Sequence, residues 1–255
     1  MFLLSCLQGV GELLPISSSV NLYLFSKFFN FNCPSSLSVG LHLGSLITFL
    51  IYFRSDIVVI FKGMFSKRIA LKDTYFYPLV IGTIPVVFGT IISGSFLEDF
   101  YSTRIMGISC IVFGLLLLFF DKFSITRSSS SKKGIPTWKA FVIGCFQSLA
   151  VLPGVSRLGV CLTASRMLSL DRRNSIHFSM LLAIPSILGA MVRLVYRRHN
   201  ALDYDLFSTS TLWGVLSVAV IGLIFIRPVV IFLERKGFLI VVCYRIIIGT
   251  ILCFF

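Results

Sequence analysis

Apolar runs recur along this chain, and most charged residues fall between them rather than within them. Ser38–Phe53, Pro78–Phe96, Ile105–Phe120, Ser175–Val192, Thr209–Ile226 and Gly237–Phe255 each carry at most one charged or histidine side chain. Runs of this length, wound as helices, approach the thickness of the apolar core of a bilayer. The pattern predicts an all-α polytopic membrane protein with about six transmembrane helices. A transmembrane barrel would instead show short alternating segments, which are absent from the sequence.

Two further elements are apolar in setting but polar in content. Gln8-Gly-Val-Gly-Glu12-Leu-Leu-Pro15-Ile-Ser17-Ser18-Ser19 is the first, and Gln147-Ser-Leu-Ala-Val-Leu-Pro153-Gly154-Val-Ser156-Arg157 is the second. Both follow a Cys-x-Gln start and run through a proline into a serine. Broken apolar segments at matching positions in the two halves of a membrane protein point to a binding site. In the first, Gln8 and Glu12 are four apart and share a helix face, and Gly9 and Gly11 permit close approach of a neighbouring helix. Pro15 stops that helix, and Ser17 to Ser19 are expected to cap the next, Val20–Phe29. In the second, Pro153-Gly154 makes the turn and Ser156 is the expected N-cap of a helix through about Leu168. Arg157 then falls in the first helical turn, where the helix dipole disfavours a cation. A phosphate held jointly by Arg157 and the helix amides would supply the missing anion.

Composition strengthens the membrane assignment, since 56% hydrophobic residues exceed what a soluble domain of 255 residues can hide. The net charge of +13 could suggest nucleic acid, but its placement argues against that partner. Basic residues cluster in two loops, Arg54–Lys72 and Lys122–Lys139, whereas the turn Leu97–Arg104 between them holds Glu98 and Asp99. The positive-inside tendency puts the basic loops in the cytoplasm and the turn on the other side. The longest polar stretch, Asp121–Lys139, reads as a linker containing Ser128–Ser131. The seven cysteines form no CxxC and read as small buried hydrophobes. His42, on an apolar face, is expected to be a hydrogen-bonded packing residue rather than a ligand. Glu12 has a plain alternative as an interhelical ion-pair partner, and Arg157 as a side chain reaching toward headgroups.

The two elements resemble the motifs of the undecaprenyl-pyrophosphate phosphatase family of bacitracin-resistance type. The first runs from Gln8 through Glu12, Pro15 and Ser17-Ser18-Ser19 to Asn21, and the second from Pro153-Gly154-Val155-Ser156-Arg157 to Cys161. Similar stretches at Leu43-Gly44-Ser45, Gly144–Gln147 and Phe178–Pro185 extend the likeness over nearly the whole chain. The resemblance implies a single integral membrane domain, 1–255, built as an inverted repeat with two re-entrant helix-turn-helix elements. The first repeat would span about 1–121, the linker 122–139 and the second repeat about 140–255. It implies a multi-pass hydrolase of the bacterial cytoplasmic membrane, acting for cell-wall synthesis on a polyprenyl pyrophosphate lipid with a divalent cation, Mg or Ca. Its site would open to the outer face. By position, Glu12, Ser18 and Arg157 take catalytic roles, Gln8 and Glu12 handle the metal, and Ser17, Ser19, Asn21, Gly154 and Ser156 bind substrate.

Three positions depart from the family pattern. Asn21 stands where the family has histidine, Leu158 where it has serine and Cys161 where it has threonine. Asparagine cannot transfer a proton near neutral pH but can orient a phosphate or a water, which leaves Glu12 as the base. The rival readings are a lipid-phosphate transporter, because broken helices in inverted repeats are also transporter architecture, and a degenerate, non-catalytic member. The intact set of Glu12, Ser18 and Arg157 favours the enzyme.

Overall fold

The computed structural model describes residues 2–30, 35–65, 71, 74–92, 102–124, 135–198 and 208–254, and all the longer elements among them are helical. In chain order they are α1 (Phe2–Gly11), α2 (Ser18–Phe28), α3 (Ser35–Tyr52), α4 (Arg54–Phe65), α5 (Phe76–Ile92) and α6 (Thr103–Phe123). There follow α7 (Thr137–Ser148), α8 (Arg157–Met167), α9 (Arg172–Arg198), α10 (Thr209–Lys236) and α11 (Leu239–Phe254). Among the described residues, α6, the Arg172–Val192 part of α9, and α10 are each long and apolar enough to cross a membrane. Gly40–Tyr52 and Arg54–Phe65 count as a fourth span when taken together, across a bend of 70°. The other apolar runs form shorter helices, α5 of 17 residues and α11 of 16.

Two elements differ from the sequence expectation. The segment from Arg54 begins as a helix, α4, rather than a loop. It buries no side chain, and exposes Val58, Val59, Phe61 and Phe65 on the same short helix as Arg54, Asp56 and Lys62. An amphipathic helix of that kind suits the membrane interface. At the other end, α10 continues past Ile226 to Lys236 with Pro228 inside it, a tolerance common where neighbouring helices cover the freed carbonyl. Of the acidic turn only Ser102–Arg104 falls within the described residues, and Ser128–Ser131 lies outside them. The six described cysteines are free; Cys110 and Cys161 are buried, but Cys145 and Cys243 are exposed, because both lie on outward faces of their helices.

Helices pair through small residues, the usual solution where lipid removes the hydrophobic drive for association. α3 lies along α10, α5 along α7, and α6 along α11, while α1 leans on α10 and α8 on α6. One close seam is between α6 and α11. A Cβ on Gly107 would lie 2.5 Å from the Gly249 carbonyl oxygen, and one on Gly249 would lie 2.7 Å from that of Gly107. The largest apolar core joins Leu13 of the first break and Leu158 and Leu162 of α8 to Phe49, Phe53, Leu117 and Met180. Both polar elements are thereby anchored to the centre of the molecule. At the far end of α6, Asp121 receives hydrogen bonds from Arg166 (2.9 Å) and from Arg172 (2.8 and 3.0 Å). That cluster holds the end of α8 to the start of α9 and the end of α6.

Candidate active site

The first break opens where α1 ends at Gly11. One more helical bond, Glu12 N–H to the Gln8 carbonyl at 2.9 Å, carries the carboxylate round before the chain turns through Pro15. Ser17 takes φ of 67° and α2 starts at Ser18. Contrary to the expected cap, the Ser17 hydroxyl bonds no amide of α2. Its Oγ lies 3.1 Å from Ser19 Oγ instead, on a backbone of positive φ.

In the second break, α7 passes through a short 3-10 turn, Leu149–Val151, and then Pro153 and Gly154. Gly154 has φ of 84°, and a Cβ there would collide with the Met106 carbonyl. Only glycine meets both conditions. Ser156 caps α8, accepting a hydrogen bond from the Gly159 N–H at 3.2 Å, and Arg157 is the first helical residue.

The two breaks face each other across a cavity of about 440 Å³ lined by Glu12, Ser17, Ser18, Ser19, Ser156 and Arg157, with His42 and Thr103 at its walls. Glu12 is its hub. Ser18 Oγ donates to Glu12 Oε2 at 2.7 Å, and Gln8 Nε2 donates to the same oxygen at 3.1 Å. Arg157 Nη1 stands 3.7 Å from Glu12 Oε1, yet this nitrogen is buried and has no hydrogen-bond partner. The guanidinium therefore has unspent donors beside a polar cavity, where an oxyanion would satisfy them.

The remaining site residues divide. Gln8 is fully buried behind Glu12, and its Oε1 has no partner. Asn21 and Gly154 are not brought to the cavity. Asn21 Oδ1 accepts a 2.6 Å hydrogen bond from the Tyr244 hydroxyl, and Asn21 lines an adjoining groove rather than this cavity. Gly154 serves the turn itself. Cys161 Sγ donates to Gln147 Oε1 at 2.9 Å, whose amide nitrogen reaches Ser186. Leu158 contributes an apolar wall. Asn21→His is accordingly expected to leave the rate and pH profile unchanged and to lower stability by about 1 kcal/mol through the Tyr244 bond. A new activity component titrating near neutrality would return residue 21 to the reacting centre.

His42 is hydrogen-bonded as expected, its Nδ1 3.1 Å from Gln8 Nε2, and it also forms a wall of the cavity. One residue was missed, Arg245: a polar side chain inside an apolar run was the available signal, and it is the lone cation of the last apolar run.

The profile of the family "Bacitracin resistance protein BacA" matches residues 1–251. The chain belongs to this family. Its similarity to curated relatives covers most of both chains. It is 34% identical over 92% of its length to undecaprenyl-diphosphatase 4 of Bacillus thuringiensis subsp. konkukian, of which 88% is covered. It is 33% identical over 98% of its length to the undecaprenyl-diphosphatase of Elusimicrobium minutum, of which 95% is covered. With the undecaprenyl-diphosphatase of Methanococcus maripaludis the identity is 34% over 87% of this chain and 86% of the relative. In this BacA family member both broken elements lie within the matched span, so Glu12, Ser18 and Arg157 sit inside the likeness rather than beyond it.

Proposed function

We propose that the cavity hydrolyses undecaprenyl pyrophosphate to undecaprenyl phosphate and inorganic phosphate, recycling the lipid carrier for cell-wall synthesis. The observation that carries this reading is the 2.7 Å contact of Ser18 Oγ with Glu12, opposite Arg157 and its unpartnered Nη1. A hydroxyl within hydrogen-bond reach of a carboxylate is the geometry of an activated nucleophile. Ser18 attacks the terminal phosphorus while its proton passes to Glu12. The bond from that phosphorus to the bridging oxygen breaks, and undecaprenyl phosphate leaves with the proton handed on by Glu12. Water then attacks the Ser18 phosphoester with the freed Glu12 carboxylate as base, and that proton passes back to Ser18 Oγ as the P–O bond breaks and inorganic phosphate is released. Arg157 and the N-terminus of α8 hold the phosphate oxygens as charge shifts onto the bridge.

For a divalent cation of the Mg or Ca kind, Glu12 would be the only carboxylate lining the cavity among the described residues. The Gln8 Oε1 is buried with no hydrogen-bond partner, and Ser18 adds a hydroxyl. These are the hard oxygen donors such ions take. When bound there, the ion would neutralise phosphate charge.

The lipid has a place as well. An apolar groove of about 360 Å³, lined by Leu7, Val10, Phe232, Ile240 and Val241, meets the cavity at the shared residues Gly11 and Leu14. Its position supports a tail running to the bilayer from a headgroup held by Arg157. The cavity lies by Thr103, at the start of α6, and Asp121 is about 27 Å away along that helix at 1.5 Å per residue. With the basic segments in the cytoplasm, this supports a site open to the outer face of a bacterial cytoplasmic membrane. The packing of α1 on α10 and of α7 on α5 supports an inverted repeat of six spans with two re-entrant elements.

The test is phosphate release from undecaprenyl pyrophosphate by the purified protein in detergent, with and without chelator. Chelator-sensitive release is expected. No release from well-folded protein rejects the hydrolase reading and leaves lipid transport as the function to assay.

A further inference from the structure

Arg245 is the largest wholly buried side chain described, 0% exposed at the middle of α11. It meets no carboxylate among the described residues. A guanidinium buried without a counter-charge is costly in a membrane protein and marks a functional position. All of its described hydrogen bonds go to backbone carbonyls. Nε donates to Cys110 at 3.1 Å, Nη1 to Pro15 at 3.0 Å and Nη2 to Gly154 at 3.4 Å.

Two of those carbonyls belong to the two breaks. Pro15 lies three residues after Glu12 and three before Ser18, and Gly154 lies three before Arg157. One planar fork therefore joins the turn that aims the acid and nucleophile to the turn that aims the cation. Its path runs tight against Gly159, where a Cβ would stand 2.9 Å from Nη1. A lysine could not replace it, since an ammonium on a flexible stem lacks the spread of donors that reaches both carbonyls.

The geometry points to Arg245 as a positioning residue that sets the separation of Arg157 from Glu12 and Ser18. This rests on the proposed hydrolysis for its kinetic readout, but not for its binding readout. It acts through the turns and touches no substrate. Misplacement of reacting groups by about 1 Å costs on the order of a hundred-fold in rate, so a slack junction between the breaks should be severe.

The experiment compares the parent with Arg245→Met and Arg245→Lys in detergent, scored on the folded fraction from size exclusion and thermal unfolding. Both variants are expected to lose on the order of a hundred-fold in kcat/KM for a polyprenyl pyrophosphate, and to bind inorganic pyrophosphate more weakly. In an Arg157→Ala background, Arg245→Met should add little further loss, because residues acting as a unit are non-additive. A merely structural residue would lower folded yield and leave the coupling and the affinity unmoved. Parental kcat/KM in either folded variant overturns the inference, as do losses that multiply independently of Arg157→Ala. Failure of both variants to fold makes Arg245 a folding residue and overturns it equally. If the parent itself releases no phosphate, the proposed reaction fails, and pyrophosphate affinity decides alone: weakening in the Arg245 variants supports the tie, and unchanged affinity overturns it.

Discussion

Arg157→Ala is expected to lower phosphate release about a hundred- to a thousand-fold, the usual cost of removing a pre-organised donor to a developing oxyanion. The protein should remain inserted and folded, because Glu12 keeps hydrogen bonds from Ser18 and Gln8 when the guanidinium is gone. Arg157→Lys should recover little of the lost rate, since a point charge cannot reproduce a bidentate fork. Turnover of the three proteins on one polyprenyl pyrophosphate decides it. Near-parental rates with lysine would make Arg157 a side chain that only reaches for headgroups.

Glu12→Gln is expected to remove chelator-sensitive turnover, by about a hundred- to ten-thousand-fold if Glu12 is the positioned base. Its effect on folding should exceed that of Arg157→Ala. Arg157 Nη1 already lacks a hydrogen-bond partner, and Glu12 is its only ion-pair partner among the described residues. Breaking a buried ion pair from one side costs about 3 to 5 kcal/mol where solvent is excluded. Arg157 is 24% exposed, so a smaller loss is expected here. Thermal midpoints of both variants, with and without pyrophosphate, test the contrast. A chelator-sensitive rate in Glu12→Gln equal to the parent's would remove Glu12 from base and metal roles alike.

The parts of the site legible in the sequence are those where local backbone chemistry dictates structure. Ser156 ahead of Arg157 is a strong N-cap signal, and the cap forms. Gln8 and Glu12 at helical spacing do share a face, and they bond to each other. The Ser17 cap does not form: its hydroxyl meets Ser19 on a backbone of positive φ, a torsion not set by residue type. Asn21 was assigned to the cavity on motif position, yet its partner Tyr244 lies 223 residues away. No local pattern announces that contact. Arg245 escaped for the same reason, since its partners come from other elements. Fold class followed from apolar run length, whereas α4 was read as a loop because its basic residues outweighed a 12-residue amphipathic pattern.

The glycine seam between α6 and α11 has a genetic consequence. Cys110, whose carbonyl receives Arg245, and Met106, whose carbonyl abuts Gly154, sit on the α6 side of that seam. Arg245 itself projects from the α11 side. Any side chain at Gly107 or Gly249 must spread the two helices, and the spread is delivered to both turns at once. An unbiased screen for inactive alleles should therefore return small-residue changes in this apolar strip together with changes at Glu12 and Arg157. Suppressors of the strip alleles are expected across the same seam, at positions such as Ile111 and Cys253 that crowd the glycines, and not among the charged residues of the pocket.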